Sequence, residues 1–242
     1  MRIVTSIRAE RIKLYHTPYW VIHILTPVLG AILFVFYFLY YKNVDKYQKL
    51  NLILELTEMV FPILISAIVG LNISQEEKAS QFQNILIVPK RKNAILAKLF
   101  ILYFSGLISL VILYTLFVIG VNMNQSKAIP VVLLLQTVLG LAFCNFIIYA
   151  FHIFLCLKFG LGISLFFGVF ECLQCILYSN IELHGLWRYI PFAWSMNWIQ
   201  DVFYNRLADH ILQWLGIIVL TAIILILIIY WFTRWEGRKN HE

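Results

Sequence analysis

The chain has 242 residues and 28.4 kDa, of which 62% are hydrophobic and 13% charged, against roughly 25% charged in soluble domains. A soluble core of this size cannot hide that much apolar surface, so a water-soluble domain is excluded and the mean hydropathy of +0.83 points to lipid as the solvent. In such a chain the net charge of +7 reports orientation in a membrane and not affinity for nucleic acid.

The chain opens on MRIVTSIRAERIKLYHTP, which has neither the apolar core nor the cleavage site of a signal peptide, so the first span is expected to persist. Within residues 1–17, Ile3, Val4, Ile7 and Leu14 fall on one side of a helical wheel, with Arg2, Glu10 and Lys13 turned away and Arg11 interrupting the apolar face. This pattern predicts a helix lying flat in the membrane interface with its basic groups toward anionic lipid; the simpler reading is a basic flank that only fixes topology. Six apolar stretches follow, at 20–41, 50–73, 99–121, 131–157, 159–178 and 211–232, each near the length that a bilayer demands.

An even number of spans puts both termini on one side. If that side is the cytoplasm, the inner segments hold Arg2, Arg8, Arg11, Lys13, Lys78, Lys90, Arg91, Lys92, Lys98, Lys158, Arg234, Arg238 and Lys239. The outer loops hold fewer than half as many, Lys42, Lys46, Lys49, Lys127, Arg188 and Arg206, so the positive-inside bias predicts cytoplasmic termini. No internal repeat or linker interrupts the chain, which reads as one domain over 1–242.

The inner loop, 74–98, carries Ser74 three residues before Glu77, a capping-box pattern that predicts a short helix starting there. Ala79, Phe82 and Leu86 recur on one stripe beside Glu76, Glu77, Lys78 and Gln81 until Pro89 ends the run. Such a helix either inserts Phe82 into a partner's groove or rests on lipid as an interfacial connector. The outer segment 179–210 gathers Trp187, Tyr189, Phe192, Trp194, Trp198, Phe203 and Tyr204 around Gly185 and Pro191. An aromatic belt at the water–lipid boundary is one reading, and an outer gate that packs on an amphipathic cationic peptide is the other.

Three acids fall within spans. Glu55 and Glu58 share a helical face one turn before Pro62 and read as a helix end among headgroups near Lys49; Glu171 reads as an inward-facing, hydrogen-bonded intramembrane acid. Cys172 and Cys175 form a C-x-x-C inside an apolar run and, like Cys144 and Cys156, read as reduced packing residues. The histidines at 16, 23, 152, 184, 210 and 241 show no metal-ligand spacing, and no G-x-S-x-G is present. An intramembrane protease or transferase would have to use Glu171 with His152 or His184.

The acidic pair Glu76–Glu77, the apolar stretch after it and PKRKNAILAK at 89–98 together resemble the cytoplasmic loop of the ABC-2 type permeases. Within that group, the chain length and GLWRYIPFAWSMNW at 185–198 look like the permeases of lantibiotic-immunity transporters. The resemblance implies an all-α polytopic membrane protein with six transmembrane helices, an N-terminal interfacial amphipathic helix, a cytoplasmic coupling helix and an outer re-entrant segment before the last span. It implies ATPase coupling through Glu76, Glu77, Phe82, Leu86, Pro89 and Arg91, and an outer gate at Trp187, Tyr189, Trp194 and Trp198. No GxxxxGK[ST] occurs, so ATP and Mg are expected on a partner ATPase and no cofactor on this chain. The implied partners are two ATPase copies, a second six-span permease that is a paralogue or an identical chain, membrane lipid and an amphipathic peptide substrate. The implied setting is the bacterial cytoplasmic membrane, and the function is non-enzymatic export of an antimicrobial peptide for self-immunity. General antibiotic or multidrug export is the alternative within transporters.

Overall fold

The structure, a computed structural model, describes residues 3–15, 17–41, 44–123, 129–180 and 186–238. Arg2, His16, Lys42, Lys127, His184, Gly185, Lys239 and His241, and the part of the aromatic segment over 181–185, lie outside the described residues. Nine α-helices are described: α1 (Ile3–Tyr15), α2 (Tyr19–Tyr40), α3 (Lys46–Ser80), α4 (Gln83–Leu86), α5 (Arg91–Asn122), α6 (Val131–Phe159), α7 (Leu161–Asn180), α8 (Trp194–Phe203) and α9 (Ile211–Arg234). Two single 3-10 turns, Leu186–Tyr189 and Pro191–Ala193, lead into α8.

Helix is the only open-ended structure whose backbone groups are all satisfied internally, which is why apolar stretches of this length adopt it in hydrocarbon. Each of the six predicted stretches falls on one helix. Five, α2, α3, α5, α6 and α9, are long and apolar enough to cross a membrane, while the expected fifth span lies on α7, whose apolar run over 161–177 is shorter. Local chemistry fixes the ends. The Asp45 side chain accepts from the Tyr47 amide at 2.9 Å to start α3. Gly160, at φ 96°, breaks α6 from α7 in a conformation that an L side chain rarely adopts.

At 35 residues α3 is about 52 Å long, longer than a bilayer core, and it lies against α7, α6, α8 and α5. Its approach to α7 depends on Gly168, where a Cβ would stand 2.4 Å from Ser66 Oγ and 3.0 Å from the Pro62 carbonyl. Helices α2 and α9 keep apolar residues turned outward, Leu33 and Ile226 each 64% exposed, as a face toward lipid requires. One end of the bundle, the near end, collects α1, the α3–α5 turn, the α6–α7 break and the chain after α9. The far end collects the α2–α3 connection, the turns before α8, and α8.

Two local expectations are corrected. No helix starts at Ser74, because α3 runs through it without a break to Ser80. The turn follows at Gln81 and Phe82, both left-handed at φ 47° and 67°, and only the four residues of α4 stand as a separate helix. In α1, the buried stripe is Ser6, Glu10 and Leu14, whereas Val4 is 70% exposed. The apolar side that the helical wheel predicts is therefore not the buried side: Glu10 faces inward, because the bundle supplies its counter-charges.

Candidate functional site

At the near end four charged side chains from three helices close into one cluster. Glu10 and Lys13 of α1 are three residues apart and pair at 2.8 Å; Lys13 Nζ also reaches Glu76 Oε1 of α3 at 2.6 Å. Lys98 of α5 completes it: its Nζ donates to Glu10 Oε2 at 2.8 Å, Asn72 Oδ1 at 2.7 Å and Glu76 Oε1 at 3.2 Å. An ammonium has three donors, and all three are matched to acceptors. Two carboxylates and two ammoniums balance, which is the condition for holding charge at positions as buried as Lys98, 2% exposed, and Glu76, 5%. Burial pushes the Glu10 carboxyl up, but Lys98 and Lys13 outweigh it and hold the group below its ordinary value. Burial pulls the Lys13 ammonium down, but Glu10 and Glu76 leave it above its ordinary value.

The α3–α5 turn is fastened to the chain after α9. Arg238 Nη1 donates to Glu77 Oε1 at 2.8 Å and Nη2 to the Cys156 carbonyl at 2.7 Å, while its guanidinium lies 5.5 Å from the Phe82 ring centre. Arg91 donates to the Leu86 and Trp235 carbonyls, each at 3.0 Å. Phe82 is 2% exposed and meets the Trp235 ring edge-on at 5.2 Å. Of the six expected coupling residues, Glu76 and Phe82 are therefore buried inside this chain, Glu77 and Arg91 are bonded within it, Leu86 is half-buried, and only Pro89 is exposed. Phe82 is not an outward knob, because the left-handed pair folds it back under Trp235. The outward face of the turn is instead Gln83, Asn84, Ile87 at 72% exposure, Pro89 and Lys90.

Within the bundle both intramembrane acids are buried and bonded. Glu58, 1% exposed, accepts from Asn145 Nδ2 at 2.9 Å and Tyr114 Oη at 3.5 Å, so it lies in the bundle interior and not among headgroups. Glu171 faces inward as expected, with Oε2 3.0 Å from His152 Nε2, and His152 Nδ1 is 2.9 Å from Ser164 Oγ. This serine–histidine–acid chain has the members of a hydrolytic triad. All three residues are 0% exposed, so no substrate bond reaches Ser164 unless α6 and α7 part. The arrangement joins α6 to α7 and carries no catalysis in this state.

At the far end the four expected gate residues divide. Trp194 is fully buried, with Nε1 donating to the Arg188 carbonyl at 3.1 Å; Trp198 lies against Gly140 and donates to the Gln136 carbonyl at 3.1 Å. Trp187 is half-buried beside Trp214 at 5.7 Å, and Tyr189 is 76% exposed. The partners Lys98, Asn72, Asn145, Tyr114, Ser164 and Arg238 were not singled out from the sequence. The unusual polarity of Asn72, Lys98 and Asn145 in or beside apolar stretches was the available signal. Asp201, 2% exposed and bonded to His210 Nδ1 at 2.8 Å and Trp214 Nε1 at 3.0 Å, had none.

The fold and the cluster define a helical membrane protein with a charge-locked turn at one end. A family model described as ABC-2 family transporter protein matches residues 6–171, and the chain belongs to that family. It is a membrane transport component, and the family implies association with an ABC ATPase subunit. No curated protein and no solved structure matches the chain significantly.

Proposed function

We propose that this chain is the permease subunit of an exporter that lifts a lantibiotic or similar membrane-active antimicrobial peptide out of the bacterial cytoplasmic membrane, as self-immunity. The near end is the cytoplasmic end, α7 is the fifth of six spans and α9 the sixth, and α8 with its turns is the outer re-entrant segment of a single domain over 1–242. Two ATPase copies carry ATP and Mg, and a second permease, a paralogue or an identical chain, completes the pore. The observation that carries the reading is that one long helix, α3, joins the two working ends. Near its last turns Glu76 and Glu77 fix the α3–α5 turn, and about five turns earlier Glu58 and its neighbours pack beside α8. A push by the ATPase on Ile87 and Lys90 would move α1, α3 and α5 together, because Lys98 binds all three, and α3 would carry the displacement to the aromatic segment. There Tyr189 and Trp187 offer ring surface to an amphipathic cationic peptide arriving sideways from the interface.

General drug export is the second reading, favoured by a partly open cavity of about 390 Å³ between α2, α3, α5 and α6, lined mainly by apolar residues such as Phe34, Val60 and Leu113 with His23, Thr57 and Ser109 among them. That volume suits one drug-sized molecule better than a peptide. Cells expressing the chain with its ATPase and partner permease test both readings. Survival at a higher dose of a cationic membrane-active peptide, with the peptide recovered in the medium, supports the first. Protection against apolar drugs alone would select the second.

A further inference from the structure

A groove of about 420 Å³ runs between α1, α2 and α5 at the near end, separate from the cavity above. Its walls are Ile7 of α1, Trp20 of α2, and Phe100, Phe104 and Ile108 of α5. Ser105 also lines it, but the serine hydroxyl donates to the Ile101 carbonyl of its own helix at 2.7 Å and offers the groove no free donor. The one charged group on the wall is Arg11, an exposed residue three positions beyond exposed Arg8. Neither arginine has an ion-pair or hydrogen-bond partner among the described residues, and Glu10, two residues from Arg8 and one from Arg11, is at a spacing that does not face either on a helix. Glu10 is turned to the opposite side of α1 and consumed by Lys13 and Lys98. An apolar slot of ligand size is therefore rimmed by uncompensated positive charge at the place where α1 meets the bundle.

We infer that this groove is a selective site for one anionic glycerophospholipid, with an acyl chain between α1 and the Phe100–Phe104 face of α5 and the phosphate on Arg11 and Arg8. Charge complementarity chooses the occupant. A neutral or zwitterionic lipid would fill the slot equally well but would gain nothing from two bare guanidiniums, whose planar donors match phosphate oxygens. Trp20 is the second residue of the apolar helix α2, a position at which indole rings favour the lipid boundary, so the inferred headgroup and the ring share one layer. The site also bears on the Glu10–Lys98 clamp between α1 and α5: Ile7 and Glu10 are one turn apart, so a lipid wedged against Ile7 shifts the helix that carries Glu10 to Lys98.

The test uses the full chain purified in a neutral detergent and delipidated, with dioleoyl phosphatidylglycerol and dioleoyl phosphatidylcholine as probes and native mass spectrometry as the readout. The expected result is one retained phosphatidylglycerol per chain, preferred over phosphatidylcholine by about fivefold for each arginine, or about 25-fold for the pair. The Arg8→Gln/Arg11→Gln variant should bring the preference close to one, while Arg8→Lys/Arg11→Lys keeps most of it; all four substitutions are at exposed positions and leave the clamp untouched. Ile101→Trp, at the groove floor, should weaken retention of both lipids. Equal retention of the two lipids by the unaltered chain would overturn the inference, as would a preference that survives in the glutamine variant. Glycerol 3-phosphate separates a lipid site from a bare phosphate site: competition by it at the lipid's own concentration would also overturn the assignment, and its failure to compete supports the acyl-chain contact.

Discussion

Replacing Lys98 by Met tests the near-end cluster directly. The side chain is 2% exposed, and methionine fills nearly the same volume, so the cavity term is small and the change isolates the charge. Three acceptors lose a donor at once: Glu10 Oε2 and Asn72 Oδ1 lose the ammonium that faces them, and Glu76 Oε1 keeps only Lys13. Lys13 remains, but it is half out of the cluster and cannot satisfy two buried carboxylates that previously shared two cations. Removing one partner of a buried pair costs about 3–5 kcal/mol, whereas neutralising the stranded acid as well recovers most of the loss. Lys98→Met should therefore lower the thermal midpoint of the purified chain sharply, and Lys98→Met/Glu10→Gln should recover a large part of it. The same loss should free α1. A cysteine placed at Ser6, which is 3% exposed on the buried stripe of α1, should react with a thiol reagent several times faster in the Met variant. A midpoint within a degree of the unaltered chain, together with unchanged labelling at position 6, would show that the cluster does not hold α1 and would refute the reasoning.

Acid should act on the same contact. The Glu10 carboxyl is held below its ordinary value of 4.5, so its contribution to stability is complete above pH 4.5 and is lost as the pH falls further, through the folded-state value; labelling of Ser6→Cys, taken relative to a freely exposed cysteine at the same pH to remove the thiolate dependence, should stay flat from pH 7 to 5 and rise below 4.5. Phe82→Asp should reduce the yield of folded chain, because it buries a charge beneath Trp235, whereas Ile87→Asp should leave folding intact and lower recovery of the ATPase on co-purification; the opposite pattern would restore Phe82 as the external contact. Gly140→Ala would bring a Cβ within 1.7 Å of the Trp198 ring, so it should destabilise the chain by about 1–3 kcal/mol, and adding Trp198→Ala should relieve the clash in a clearly non-additive double-mutant cycle of thermal midpoints.

The sequence by itself determined the solvent, the helical class and the approximate position of every apolar helix, because backbone satisfaction in lipid requires an unbroken apolar run and such a run is a local property. It also marked the break near Pro89 and the inward setting of Glu171, since a bare acid within a span needs a partner inside the protein. Which partner was a matter of packing. Lys98 meets Glu10 across 88 positions, and Asn145 meets Glu58 across 87. No periodicity relates residues so far apart, and their meeting depends on the rotation of each helix about its axis, which close approaches such as Gly168 against Ser66 decide. The direction of Phe82 was hidden for a related reason. A helical wheel assumes that the helix continues, and the left-handed Gln81–Phe82 pair reverses the stripe within two residues, bringing under the C-terminal Trp235 a ring that the continued helix would have turned outward. Tertiary structure thus decided which charges are locked inside this chain and which surface of the turn remains free for a partner.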